Sequence, residues 1–505
     1  MTGSHAAAPE GVGRAAGEPA ARDDPGAAMD GVWSSRRRWL TIGLVLTVTL
    51  VAFESLAIAT VMPTVKDDLG GLALYGWVFS GFFLASLVGI VVAGQLADRR
   101  GLATAFVLGL VLFAAGLVVG GAARSMPVLV AARVAQGFGS GTIPPTAYAA
   151  IGRGYPAEQR PHMFAVISTA WVLPALIGPA VASVVEHALS WRWVFLGLVP
   201  FVAVAAVTTI GPLAALSRAG RRTDADPSAG ASREADVSAP PGDELATEAT
   251  SGWAQLARVV VLVVGIGAVF IAIDGQPLGV ALALLIGGAP AATWALLRLL
   301  PAGTLRLLPG VPATVGVRGV LACGFFAADA YVPLAVVDGR GGATWIGGAA
   351  LSAASLTWAG GAWAAARAID RMGPRRLNQL GFSAVAAGVA VLAAVARGAP
   401  LALAVPGWAI AGLGMGLAYA PLAVTVLAAA RPGEEGEASS ALQLSDALGI
   451  ALGAAVGGWV IATADHRGAS VASATTVVFV IALAISLAGI AAASRLPLEV
   501  PTAPD

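Results

Sequence analysis

Charge is what this sequence lacks most. Only 12% of its 505 residues are Asp, Glu, Lys or Arg, about half the share with which a soluble chain clothes its surface. A water-facing shell cannot be built from so little, so the chain must face lipid, and its 57% of hydrophobic residues supply the means. Lysine is nearly absent: of 30 basic residues all but Lys66 are arginine. Because Lys66 is followed by Asp67, no Gly-x-x-x-x-Gly-Lys-Ser/Thr phosphate loop can exist. The single cysteine, Cys323, excludes an internal disulfide and a cysteine metal cluster. His5, His162, His187 and His466 lie far apart and form no i, i+4 ligand pair. No metal or other cofactor is expected, and a metalloenzyme is disfavoured. A net charge of +1 offers no basic field for nucleic acid, which drops out as a partner.

What the chain does have is long apolar runs, each near the roughly 20 residues that cross a bilayer as a helix. Six precede a polar tract, near 39–62, 72–95, 102–123, 126–150, 161–185 and 193–217. Eight follow it, near 255–273, 276–299, 312–336, 344–368, 376–396, 400–430, 437–463 and 472–494. The first run, behind Arg36, Arg37 and Arg38, is longer than a secretory signal and carries an acid, so it reads as a retained helix. The expected organisation is a disordered tail over 1–35, a six-helix bundle over 36–217 and a flexible linker over 218–253. Two extra helices over 254–300, a second six-helix bundle over 301–496 and a short tail over 497–505 follow.

Loop charges orient these runs. With the N-terminus inside, Lys66, Arg124, Arg192, Arg340, Arg397 and Arg467 fall outside, Arg133 and Arg318 fall within runs, and the other 22 of the 30 basic residues fall inside. An even number of spans with both termini cytoplasmic, in a plasma (inner) membrane, fits that bias. Fourteen and twelve are not separated by it, because the pair over 255–299 enters and leaves together.

The two halves are related. An offset of 275 carries Glu54 onto Asp329, the glycines 137, 139 and 141 onto 412, 414 and 416, and Gly178 onto Gly453. An offset of 272 carries Asp98, Arg99 and Gly101 onto Asp370, Arg371 and Gly373. Six spans are thus repeated in parallel orientation, and the pair 255–299 lies between the copies.

The stretch from Gly94 to Gly101, Gly-Gln-Leu-Ala-Asp-Arg-Arg-Gly, resembles the cytoplasmic loop signature of the major facilitator superfamily, and Asp370 to Arg376 echoes it. Small Gly94 allows close helix contact and Gly101 a turn. The resemblance implies that Asp98 latches the cytoplasmic face to the start of the span near Glu437, with Arg99, Asp370, Arg371 and Gly373 in the same device. Arg133 to Gly141 looks like that family's proton-transfer motif. Pro174, Gly178 and Pro179 resemble its antiporter signature, Pro174 standing where a glycine is usual; Gly449 and Gly453 give the repeat a matching small-residue face. Phe53 to Pro63 is similar to the first-span motif of the fourteen-span drug:proton antiporters, with Glu54 as its acid and Leu56 and Ala59 replacing polar positions.

Three acids lie well inside apolar runs: Glu54, Asp329 and Asp446. Acids there are functional by default, since their burial in lipid is expensive. Glu54 and Asp329, with Arg133, are the expected proton-coupling residues; Gln443 and Asp446, which break the repeat, are candidate substrate contacts. The expected fold is all-α and polytopic, a major facilitator fold of two parallel six-helix bundles plus two extra helices, fourteen in all. The expected activity is export of hydrophobic or amphiphilic small molecules by proton antiport, in a monomer driven by the proton gradient and working by alternating access. A dedicated exporter of an endogenous metabolite or lipid would use the same motifs. A non-transporting receptor or scaffold would have no reason to keep Arg133 and the acids in lipid.

Overall fold

The computed structural model describes residues 33–34, 37–156, 159–170, 172–224, 241–273, 276–430 and 435–500. Most of the expected tails (1–32, 35–36 and 501–505) and 225–240 of the expected linker lie outside them, as do Trp171 and the side chain of Glu437. The described ends of that linker, 218–224 and 241–253, are helical and continue the neighbouring spans rather than forming a flexible tract. The described residues are helical with short connections. Helices α1 (Arg38–Leu69), α2 (Tyr75–Arg100), α3 (Leu102–Gly121) and α4 (Met126–Gly154) are continuous. The fifth run is split into α5 (Arg160–Thr169) and α6 (Val172–Ala188), and the sixth into α7 (Arg192–Leu196) and α8 (Val199–Asp224). Next come α9 (Pro241–Ile273) and α10 (Leu278–Leu299), then α11 (Val311–Asp329) and α12 (Val332–Val337), which share the ninth run. The chain closes with α13 (Thr344–Ala396), α14 (Ala404–Ala429), α15 (Glu435–His466) and α16 (Val471–Ala493).

Among the described residues, eleven helices are long and apolar enough to cross a membrane. The longest, α13, is two passes. Its backbone leaves the helical region at Gly373, where φ is 71°, a conformation that costs glycine little. The arms then run in opposite directions along α14: Ala354 and Gly361 meet Gly412 and Gly416 in ascending order, whereas Gly381 and Gly388 meet Gly414 and Gly407 in descending order. With α4 and the broken pair α5 and α6, this architecture is consistent with fourteen spans. The extra pair is long enough to span: Gly252–Ile273 and Leu278–Leu299 are 22 residues each, about 33 Å at a helical rise of 1.5 Å, against a hydrocarbon core of about 30 Å.

The repeat is visible in the packing. A Cβ placed on Gly137 or Gly141 of α4 would lie 2.0 or 2.2 Å from the carbonyl oxygens of Phe82 and Ser86 on α2. On α14, Gly412 and Gly416 approach the carbonyls of Ala354 and Trp358 on α13 in the same way, at 2.1 Å each. Phe82 and Ser86 become Ala354 and Trp358 at the loop offset of 272, while the glycines move at 275. Gly109 against the Gly139 carbonyl and Gly381 against that of Gly414 repeat both offsets again. Small residues let these backbones touch where lipid offers little hydrophobic drive for association.

The two halves meet most tightly at the end of the bundle opposite the chain termini, here termed the distal end. There Gly76 of α2 packs on Gly458 of α15, and Gly348 of α13 on Thr60 and Pro179. Deeper in, Leu84 and Leu87 of α2 share a core cluster with Leu448 and Ala451 of α15 and with Val259, Leu262 and Ile266 of α9. Helix α9 therefore lies along the seam between the halves. Near one end its Gly252 carbonyl accepts from Gln95 Nε2 at 2.5 Å. At the other its Phe270 ring meets Trp77 edge-on at 6.4 Å.

Candidate functional site

In the first bundle, α1 carries Glu54 and α4 carries Arg133 into a sealed interior; they are 0% and 2% exposed. Arg133 Nη1 donates to Glu54 Oε1 in an ion pair. Its Nε donates to the Val78 carbonyl at 3.2 Å, Nη1 also reaches Gln136 Oε1 at 3.2 Å, and the guanidinium lies 4.1 Å from the Phe82 ring centre. Gln136 Nε2 adds a 3.4 Å bond to Glu54 Oε1, while Glu54 Oε2 has no hydrogen-bond partner among the described residues. Arg133 is thus turned inward to the acid. Gln136, one helical turn further on, is a member that the sequence reasoning did not single out; its i+3 spacing from Arg133 was the available signal.

In the second bundle, Asp329 ends α11, and its Oδ1 accepts from Trp408 Nε1 of α14 at 3.0 Å. Trp408 is fully buried and stacks on Phe325 at 4.8 Å with the rings 18° apart. The ninth run was expected to continue unbroken, but the helix ends at Asp329 and resumes at Val332; Pro333, in the first turn of α12, brings no N–H and a fixed φ.

Asp446 was expected as an asymmetric substrate contact. The structure gives it a cation: Arg318 Nε of α11 donates to its Oδ1 at 2.7 Å, and Tyr419 Oη of α14 donates to its Oδ2 at 2.8 Å. Arg318 Nη1 donates to the Tyr419 carbonyl at 2.8 Å. The sequence marks Arg318 only as a basic residue within a run and does not mark Tyr419. An arginine and an acid in lipid-spanning segments of one bundle were the readable hint. Gln443, its expected companion, is exposed. Ring contacts run from Tyr419 to Trp358 (5.2 Å), Phe325 (5.6 Å) and on to Trp408, so the Asp446 and Asp329 sites share one aromatic chain.

The loop signature at the terminal end is open. Asp98 is 75% exposed, and its nearest cation is Arg153 of the same bundle at 3.9 Å. Arg99 lies over the Trp253 ring of α9 at 5.0 Å. Gly94 does not serve a close contact, since a Cβ there would meet nothing within 4 Å. Gly101 has φ of 93°, as its expected turn requires. Asp370 and Arg371 are exposed, whereas Gly373 is covered by the carbonyl of Leu498 in the C-terminal segment.

The small-residue motifs form packing seams. Pro174, Gly178 and Pro179 are buried on α6, where a Cβ on Gly178 would lie 3.6 Å from Phe53, the residue before Glu54. Gly449 and Gly453 of α15 press on the backbone carbonyls of Gly319 and Cys323 in α11.

At the distal end Lys66, the lone lysine, bridges the halves: its Nζ lies 2.6 Å from Asp338 Oδ1, their side chains 14% and 12% exposed. Burial pushes the Asp338 carboxyl above the usual carboxylate range, against the pull of the Lys66 ammonium. Nearby, Thr64 Oγ1 donates to Glu186 Oε1 at 2.9 Å.

The chain is similar to several known proteins. The Multidrug transporter protein MdtP of Bacillus subtilis (strain 168) is 33% identical over 161 residues, 32% of this chain and 30% of that protein. An Acurin A biosynthesis cluster MFS-type transporter of Aspergillus aculeatus is 32% identical over 160 residues, 32% of this chain and 29% of that protein. These matches span about a third of the relatives' length. In fold, the chain is similar to an auto inhibited POT family peptide transporter, with a TM-score of 0.60 at 16% identity, covering 92% of this chain and 99% of that one. The two relatives bear transporter names, and the likeness to the peptide transporter shows the fold alone. The model of the Major Facilitator Superfamily matches residues 44–454, and the chain belongs to that family.

Proposed function

We propose that the chain is a secondary active exporter that exchanges protons for hydrophobic or amphiphilic small molecules, its two bundles rocking about a midplane site. It works as a monomer in the plasma membrane, with both termini cytoplasmic and the distal end outside. The observation that carries this reading is the sealed Glu54–Arg133 pair, a charge arrangement that a scaffold would have no reason to keep in lipid. Multidrug transport, in the name of the Bacillus relative, supports the substrate class. The Aspergillus relative, named for a biosynthesis cluster, favours a second reading, export of an endogenous metabolite through the same machinery.

Acid-loaded inverted vesicles containing the protein test both. Adding a substrate is expected to release the trapped protons and dissipate the gradient, and at least one of Glu54→Gln and Asp329→Asn abolishes gradient-driven efflux while exchange continues. If no compound in a chemically broad panel dissipates the gradient, and the protein confers no resistance on cells, the antiport reading fails.

A further inference from the structure

The two bundles hold equivalent acids on equivalent donors, and the donors differ in charge. Glu54 and Asp329 are related by the offset of 275, and the residues that donate to them, Arg133 and Trp408, are related by the same offset. Each bundle therefore sets an acid of its first span against a donor of its fourth. In the first bundle that donor is a guanidinium; in the second it is an indole N–H, which carries no charge and cannot give up its proton at physiological pH.

The consequence follows from charge balance. The Glu54 carboxylate and the Arg133 guanidinium neutralise each other in a site closed to solvent. Removing the proton from Asp329 would instead leave a lone negative charge held by one neutral hydrogen bond. Burying such a charge costs far more than burying the neutral acid. The ionisable groups on the helices packed round α11 offer no compensation: Asp446 is committed to Arg318 and Tyr419, Tyr331 Oη donates to the Ala454 carbonyl, and the others sit at the helix ends. Access points the same way, because Asp329 is partly exposed whereas Glu54 is not.

We propose that Asp329 is the site that takes up and releases the coupled proton, that Trp408 is its positioning residue, and that Glu54–Arg133 stays an ion pair throughout. This rests on the antiport reading and sharpens it. The proton binds Asp329 Oδ2, the oxygen that Trp408 leaves free, forming the O–H bond. On release the O–H bond breaks, the proton passes to water, and the electron pair stays on the carboxylate. Trp408 keeps hold of Oδ1 in both states and transfers nothing.

Infrared spectroscopy of the reconstituted full-length protein tests this without any substrate. In mildly acidic buffer, where hydrated carboxylates remain ionised, the wild type should show the carbonyl stretch of a protonated carboxyl. In an Asp338→Asn background, which silences the other carboxyl that burial raises, Asp329→Asn should remove that band, Glu54→Gln should keep it, and Trp408→Phe, which retains a ring against Phe325, should shift its frequency by deleting the hydrogen bond. If Asp329→Asn fails to fold, the Trp408→Phe shift decides alone. A band lost in Glu54→Gln, or untouched by both Asp329→Asn and Trp408→Phe, overturns the proposal even when vesicles show antiport. Assignment of the band to Asp329 in a protein whose vesicles never dissipate a gradient overturns the coupling itself.

Discussion

The distal and terminal ends of the bundle are held by opposite kinds of chemistry. At the distal end the halves touch backbone to backbone through Gly76 and Gly458 and are tied by the Lys66–Asp338 ion pair, both partners largely buried. At the terminal end the signature acid Asp98 stands in solvent beside Arg153 of its own bundle, and its neighbours Gln95 and Arg99 lean on α9. Charge in the loops is abundant at the terminal end yet joins little, whereas at the distal end one pair, Lys66–Asp338, crosses between the halves while Arg192–Asp68 stays within the first. An ion pair gains weight as water leaves it, and an exposed one contributes little. The state captured is one in which distal contact carries the cohesion between bundles.

The contact most able to break this contrast is Gly458. A Cβ there would lie 2.6 Å from the Gly76 Cα, and a backbone cannot step aside as a flexible side chain can. Gly458→Leu should hold the distal end apart, with an overpacking penalty of about 1–3 kcal/mol, and reduce transport at least tenfold. A membrane-impermeant maleimide applied from the distal side to Ser80→Cys, in a Cys323→Ser background, reports the opening, because Ser80 is 2% exposed when the end is closed. Unchanged labelling together with normal transport would show that Gly458 is not part of the closure.

Breaking the ion pair should do less. Lys66→Ala leaves the Asp338 carboxylate mostly buried without its cation, and losing a charged partner of that kind costs roughly 1–3 kcal/mol, near a tenfold shift toward the open distal end. Exchanging the residues, Lys66→Asp with Asp338→Lys, should recover most of the closure and bring Ser80→Cys labelling back toward the parent level. Recovery would identify the pairing itself as the cause; its absence would assign the effect to packing of the lysine stem.

Much of this architecture was readable because lipid leaves few options. Apolar runs and the repeat follow from composition and offsets, and the packing of Gly137 on Phe82 and of Gly412 on Ala354 reproduces both offsets. Glu54 and Arg133 stood out as costly charges. What escaped were relations between distant runs. Nothing local in the sequence says that Arg318 turns to Asp446, 128 residues away, or that Trp408 replaces a guanidinium as the partner of an acid. At Gly94 a small residue in a signature suggests a tight contact, yet its surroundings are empty. Lys66 was read only as a charge on the outer side, since its partner lies 272 residues on.

The smallest expected effect, and the one with the most informative sign, is the response of the distal end to pH. A view built on the bridge alone says that acid opens it, because protonating Asp338 discharges the partner of Lys66. Linkage argues otherwise. Burial holds Asp338 above the ordinary carboxylate range in the closed end despite Lys66, whereas in an open, hydrated end the carboxyl returns toward about 3.9. The closed end then binds the proton more tightly, so lowering pH favours closure. This contribution is complete below the hydrated value and fades as pH rises through the raised one. Ser80→Cys labelling, corrected for the fall in thiolate fraction with acid, should accordingly decrease on acidification from neutral pH by a modest factor, the corrected slope should vanish in Asp338→Asn, and it should steepen in Lys66→Ala, where nothing offsets the buried charge. Labelling that instead rises with acid, and does so only while Asp338 is present, would mean that attraction to Lys66 outweighs burial at this site and that the bridge is what acid releases.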